Sequence, residues 1–294
     1  MGRKKLGERN FPSAAEELRT ANYTSDIYPD SSYKLAFQDL EFLADRRELR
    51  PVRFQLELMK PDLILQEQDI NSTIVMFGSA RFLPQDKADA HVEEIRNAIL
   101  ENPDDPSLPK QLKKAHRLQR SARYYHQAQE LARVITEYTV ENMTDQLVII
   151  TGGGPGIMEA ANRGAYEAGG KSIGLSIVLP FETDPNPYIT PELCFQFHYF
   201  ALRKMHFLMR SKALIAFPGG FGTLDELFET LTLIQTRKAR RVPILLFNKE
   251  FWQKTVNFEF LVDEGTIDEK DLQLFQYVDT ADEAWKIIKD FYQL

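Results

Sequence analysis

The 294-residue chain has one cysteine, Cys194, which excludes an intrachain disulfide framework and any multi-cysteine metal site. Cys194 precedes Phe195 in an apolar-alternating run and reads as a packing residue. No long apolar run is present, so no membrane span is expected. The opening MGRKKLGERN has charge without an apolar segment behind it, unlike a secretory signal, and the expected compartment is a reducing cytoplasm. Basic residues are outnumbered, 36 against 43 acidic, and the net charge of −7 argues against a nucleic-acid partner. The dinucleotide spacing G-x-G-x-x-G and the loop G-x-x-x-x-G-K-[ST] are both missing. No H-x-x-H or H-x-E spacing accompanies His198 or His206, so no metal site is expected. There is no internal repeat and no low-complexity segment.

What is present is a series of short apolar runs, each ending in small residues. Ser72–Phe77 ends at Gly78-Ser79-Ala80-Arg81, and Leu147–Ile150 ends at Thr151-Gly152-Gly153-Gly154-Pro155-Gly156. Ser172–Val178 leads into a proline-rich loop, Leu179–Pro191, that carries Glu182. Ala213–Phe217 breaks at Pro218-Gly219-Gly220-Phe221-Gly222 and restarts as a helix near Thr223, with Glu226 completing a capping-box pattern. Further strands are expected at Pro243–Phe247 and Phe275–Val278, with a helix through Phe251–Leu261 between them and a closing helix at Ala281–Tyr292. Strands alternating with helices predict a Rossmann-like α/β fold, a doubly wound parallel sheet.

Residues 1–70 read as a helical extension and 71–294 as the Rossmann-like core. Within the extension, Ser32–Arg47 has a helical stripe of Tyr33, Phe37, Leu40, Leu43 and Ala44, and Phe54–Lys60 reads as a short helix stopped by Pro61. Between the first two strands, two helical stretches flank a break at Asn102–Pro106. The basic run Lys110–Arg123 lacks interleaved aromatics and reads as a solvated helix face.

A glycine turn feeding a helix N-terminus offers unpaired N–H groups and the positive end of the helix dipole, which suit a phosphate. Ligands of open α/β sheets lie outside the carboxyl ends of the strands, so the two glycine turns are expected to face one crevice. Ser79 and Arg81 could hold a phosphate or form a plain turn; Glu159 and Asn162 could reach a ligand or face solvent. Arg203 and Lys204 stand in the first turn of a helix, where the dipole disfavours cations, which hints at an anion opposite. Glu226 stands one turn beyond the second glycine turn. Phosphate seats, two cations and a carboxylate suit nucleophilic displacement on a phosphorylated sugar, and the missing aspartate cluster argues against phosphoryl transfer.

PGGFGTLDE (Pro218–Glu226) is similar to the PGGxGTxxE signature of the LOG family, the cytokinin riboside 5′-monophosphate phosphoribohydrolases and their bacterial relatives, formerly "lysine decarboxylase-like". TGGGPGIMEAANRGA (Thr151–Ala165), the Arg203-Lys204 pair and Phe77–Ser79 also resemble that family, over roughly Ser72 to Leu294. The resemblance implies hydrolysis of the N-glycosidic bond of a nucleoside 5′-monophosphate, AMP or another, to free base and ribose 5-phosphate, without a cofactor. By position it implies Arg203 and Glu226 as the catalytic pair. It implies Glu182, Lys204, Gly219, Gly220, Gly222, Thr223 and Thr232 as substrate contacts, to which the turns themselves add Ser79, Gly153 and Gly154 as candidates, and it implies a homodimer or larger homo-oligomer. Plant-like members carry Met-His shortly before Arg-Lys, whereas Tyr199–Leu202 stand there in this chain, which favours a bacterial-type nucleosidase over a hormone-activating enzyme. A decarboxylase would need a Schiff-base lysine in a pyridoxal phosphate site; Lys204 and Lys212 are available, but no other part of such a site is visible. The competing reading is a carrier or sensor of the same fold that binds a nucleotide or phosphorylated cofactor without turnover.

Overall fold

The computed structural model describes residues 13–15, 34–142, 146–178 and 184–294. The chain divides into two compact units, 1–56 and 57–294. Among the described residues of the first unit, helix α1 (Leu40–Asp45) is capped by Asp39, whose side chain accepts from the Phe42 amide. Ser32 and Tyr33 lie outside the described residues. The expected stripe is not buried: the helix is only six residues long and Phe37 and Leu40 are exposed.

Helix α2 (Arg50–Glu67) begins in the first unit and, contrary to the sequence expectation, runs straight through Pro61. A proline inside a helix strips the amide donor from the carbonyl four residues earlier. Here that carbonyl, of Glu57, faces the buried imidazole of His206.

The second unit is built on a seven-stranded, all-parallel sheet. Its strands are β1 (Thr73–Phe77), β2 (Val148–Thr151), β3 (Ser172–Ile177), β4 (Cys194–Phe197), β5 (Ser211–Ala216), β6 (Ile244–Phe247) and β7 (Gln276–Val278). They lie in the order β4-β3-β2-β1-β5-β6-β7. Parallel strands covered on both faces read as unbroken apolar runs, and the alternation within each run sends residues to opposite layers. In β1, Val75 and Phe77 join one core cluster while Ile74 and Met76 join the other. The first cluster is covered by Leu202 and Phe207 of α6 (Phe200–Met209), Leu227 and Ile234 of α7 (Phe221–Gln235) and Trp252 of α8 (Lys249–Thr255). The second takes Tyr125, Leu131 and Ile135 of α4 (Leu108–Glu141), Ile157 and Ala160 of α5 (Ile157–Glu167), and Ala284 and Ile288 of α10 (Ala281–Tyr292). Each fully buried Leu, Ile or Phe side chain among them contributes about 1.5–3 kcal/mol on burial.

Helix α3 (Gln85–Glu101) and α4 are separated by the expected break. The helix expected through Phe251–Leu261 is instead two, α8 and α9 (Phe258–Asp263). The Asn257 side chain accepts from the Phe260 amide and so starts a new helix where the earlier one ends.

The order of the strands reverses at β1. The chain moves outward from β1 to β4, then crosses back to lay β5 against the other side of β1. Such a switch point opens a crevice beyond the carboxyl ends of the two adjoining strands. Here those ends carry the Gly78–Arg81 and Pro218–Gly222 turns.

Candidate active site at the switch point

The β1–β5 pairing continues past both strands into their turns. Phe217 N donates to Phe77 O at 2.8 Å and Ser79 N to Pro218 O at 3.0 Å. On the other side, Ile157 N donates to Ser79 O at 3.1 Å. The turn after β1 is thus stitched to both glycine turns. Arg81 N donates to Ser79 Oγ at 3.1 Å, which closes the turn locally.

A cavity of about 600 Å³ lies over these ends, lined by Phe77–Arg81, Met158, Phe200, Arg203 and Gly220–Glu226. Helix α7 begins two residues before the expected Thr223, with Gly220 as N-cap and no side chain capping it, so the expected capping box is absent. Thr223 packs back on the turn instead: a Cβ at Gly219 would lie 2.1 Å from Thr223 Oγ1. Gly220 and Gly222 border open space. Thr223 and Glu226, three residues apart on one helical face, are both buried.

Arg203 enters from α6. Its Nε donates to Leu175 O at 2.7 Å, and the guanidinium stands over the rings of Phe207 and Phe200, 5.3 and 5.9 Å from their centroids. Gly152 makes room for it, since a Cβ there would come within 2.6 Å of Arg203 Nη2. Glu226 is only 8% exposed. Burial pushes its carboxyl up to about 7; Arg203 and Lys204 pull it down, while Glu229 and Asp225 push it further up.

Lys204, beside Arg203 in sequence, does not line the cavity. Its ammonium pairs with Asp225 at 2.8 Å and Glu229 at 3.1 Å. Burial works against its charge, and the bonds to those two carboxylates outweigh it, so its pKa is raised. The anion that the dipole argument anticipated is thus supplied in part by the protein. Glu57 adds a second one, accepting at 3.2 Å from the amides of His198 and Tyr199 at the start of α6.

The glycine turn after β2 is a packed structure. Asn186 Nδ2 donates to the carbonyls of Gly153 and Gly154 and to Asn162 Oδ1, each at 3.0 Å. Thr151 Oγ1 donates to Asn162 Oδ1 at 2.7 Å, and Asn162 Nδ2 to Ser172 Oγ at 3.0 Å. Asn162 is therefore a fully buried structural amide, unavailable to a ligand. Glu159 accepts from Tyr125 OH at 2.9 Å, a tie to α4.

Of the sequence-predicted site residues, Ser79, Arg203, Gly220, Gly222, Thr223 and Glu226 meet at the cavity. Gly219 shapes its wall from behind. Gly153 and Gly154 lie in the neighbouring turn and do not line it. Thr232 is exposed farther along α7, its hydroxyl donating to Phe228 O at 2.7 Å. Glu182 lies outside the described residues. Sequence reasoning missed Gly152 as the glycine beside Arg203, and Asn186, for which the sequence carries no signal. It also missed the Lys204 partners, although Asp225 and Glu229 have the i, i+4 spacing that places them on one helix face.

A parallel α/β sheet with a glycine-walled cavity at its switch point, entered by a half-buried arginine and a buried glutamate, is a Rossmann-like protein with its candidate site in the usual place for that fold. A family model described as "Possible lysine decarboxylase" matches residues 158–288. The chain is 28% identical over 168 residues to the cytokinin riboside 5′-monophosphate phosphoribohydrolase LOG of rice (Oryza sativa subsp. japonica), covering 56% of this chain and 65% of that one. It is 30% identical over 131 residues to a probable cytokinin riboside 5′-monophosphate phosphoribohydrolase of the same rice, covering 44% of this chain and 49% of that one. Over these stretches the chain is similar to the LOG proteins. It spans between about half and two thirds of the length of these two relatives. Among solved structures it is similar to the molybdenum cofactor binding protein of the phototrophic bacterium Rippkaea orientalis, at 17% identity and a TM-score of 0.45, covering 75% of this chain and 95% of that one.

Proposed function

We propose that the protein hydrolyses the N-glycosidic bond of a nucleoside 5′-monophosphate, releasing the free base and ribose 5-phosphate. The observation that carries this reading is the meeting of Arg203 and Glu226 on one cavity with the Gly220–Thr223 turn and Ser79. The names of the rice relatives support the reaction class.

In this reading the bond between C1′ and the base nitrogen breaks as ribose takes on oxocarbenium character. Water adds to C1′ and its proton is removed, while the departing base gains a proton. The Glu226 carboxylate stabilises the positive sugar and accepts the proton of the attacking water, and a pKa of about 7 suits that task at neutral pH. Arginine keeps its proton above pH 12 and is a poor general acid. Arg203 therefore acts as a fixed donor, holding the departing base or the sugar phosphate by hydrogen bonds. The backbone of Gly220, Gly222 and Thr223 faces the phosphate and ribose, with Ser79 opposite. Lys204, paired with Asp225 and Glu229, tunes the charge beside Glu226.

Glu226→Gln and Arg203→Ala should each lower AMP hydrolysis by about 10²–10³, the scale for removing one preorganised electrostatic contact. Wild-type turnover in both variants overturns the assignment. Tight nucleotide binding by the wild type, without release of base, would instead make the protein a carrier.

A further inference from the structure

We propose that Arg81, rather than Lys204, supplies the side-chain charge that holds the substrate's phosphate. This rests on the phosphoribosyl reading of the site above, and it adds a specificity residue to it.

An acidic protein that binds a phosphate dianion needs a local cation against its own field. The cavity is lined by two cationic side chains, Arg81 and Arg203, and two carboxylates, Asp225 and Glu226. Arg203 is committed, its Nε bonded to the Leu175 carbonyl and its guanidinium near the rings of Phe200 and Phe207. Lys204 is committed to Asp225 and Glu229 and does not line the cavity. Arg81 makes no ion pair among the described residues, and its side chain is exposed.

The backbone beneath Arg81 is nonetheless held from several directions. Ser79 N reaches Pro218 O, Ile157 N reaches Ser79 O, and Arg81 N reaches Ser79 Oγ. The following residue, Phe82, stacks on Tyr124 with ring centroids 5.5 Å apart. A cation on a fixed stem, with no ion-pair partner among the described residues and at the edge of a cavity, binds an anion at little cost in chain entropy. Guanidinium also matches phosphate geometry with two parallel donors. The Gly220–Thr223 backbone lines the same cavity, so a phosphate bridging Arg81 and that turn leaves the sugar beside Glu226.

The test is calorimetric binding of ribose 5-phosphate, with adenine as a phosphate-free probe, to the full chain and to Arg81→Ala, Arg81→Gln and Arg81→Lys. A charge-assisted pair of hydrogen bonds predicts a ribose 5-phosphate Kd about 10- to 100-fold weaker in the Ala and Gln variants. Adenine binding should move less than twofold, and Lys should recover part of the loss. Unchanged ribose 5-phosphate affinity in Arg81→Ala overturns the proposal. So does equal weakening for adenine, which marks a structural effect, or a wild type that binds no ribose 5-phosphate. Arg81-dependent binding in a protein that releases no base from any nucleotide supports the phosphate seat and overturns the hydrolase reading.

Discussion

The two glycine turns, Gly152–Gly156 after β2 and Gly219–Gly222 after β5, look alike in sequence and differ in what surrounds them. In the β2 turn a Cβ would collide everywhere: at 2.6 Å with Arg203 at Gly152, 2.8 Å with Ser176 at Gly153, 2.9 Å with Met158 at Gly154 and 2.3 Å with the Ser79 carbonyl at Gly156. In the β5 turn only Gly219 is crowded, while Gly220 and Gly222 border open space. Glycine in the first turn lets protein pack against protein. In the second it leaves a surface that a ligand can approach. The β2 turn is thus a brace that positions Arg203, and the β5 turn is a wall of the cavity.

Substitutions can break this contrast. Gly156 combines a φ of +72° with backbone atoms where its side chain would go, so Gly156→Ala should cost roughly 3 kcal/mol or more and lower Tm sharply. Gly220→Ala should leave stability within about 0.5 kcal/mol while weakening substrate binding, because no atom of the described residues lies within 4 Å of the added Cβ. Equal loss of stability in the two variants would erase the distinction. Asn186→Ala strips the side-chain donor from the Gly153 and Gly154 carbonyls, leaving Gly153 only the Asn186 backbone amide, and should cost about 1–3 kcal/mol. If the brace acts through Arg203, kcat for AMP should fall with it, which thermal melts alone would not reveal.

A further expected effect concerns pH. Burial raises the Glu226 carboxyl in the folded protein to about 7, above its value of 4.5 in the open chain. The folded state therefore binds the extra proton between those values. The stability this supplies is present at low pH and is lost as pH rises through about 7. Glu226→Gln should accordingly be more stable than wild type at pH 8, by about 1–3 kcal/mol, with the difference shrinking below pH 5. Denaturant melts at the two pH values measure it. Activity that needs the carboxylate should run the opposite way, rising through about pH 7, and Glu229→Gln should move that limb to lower pH by removing a neighbouring negative charge.

The sheet was legible in the sequence because each parallel strand is a continuous apolar run ending in small residues. The Arg203–Glu226 meeting was legible as well, since strand topology brings the ends of β1 and β5 together. Helix α2 was not, because the rule that proline stops a helix is local, whereas the packing that retains Pro61 inside the helix comes from residues far along the chain. The two glycine turns could not be told apart for the same reason. Their difference lies in Asn186, Ser176 and Ser79, which approach only once the chain has folded. The Lys204 partners sit 21 and 25 residues away on another helix, so sequence reasoning left that lysine free for a ligand.

The most direct measurement is quantification of free base and ribose 5-phosphate after incubating the protein with a panel of nucleoside 5′-monophosphates. The account predicts equimolar release of the two products from at least one nucleotide, lost in Glu226→Gln. Release of inorganic phosphate instead, or no product from any nucleotide at protein concentrations that bind it, would contradict the account.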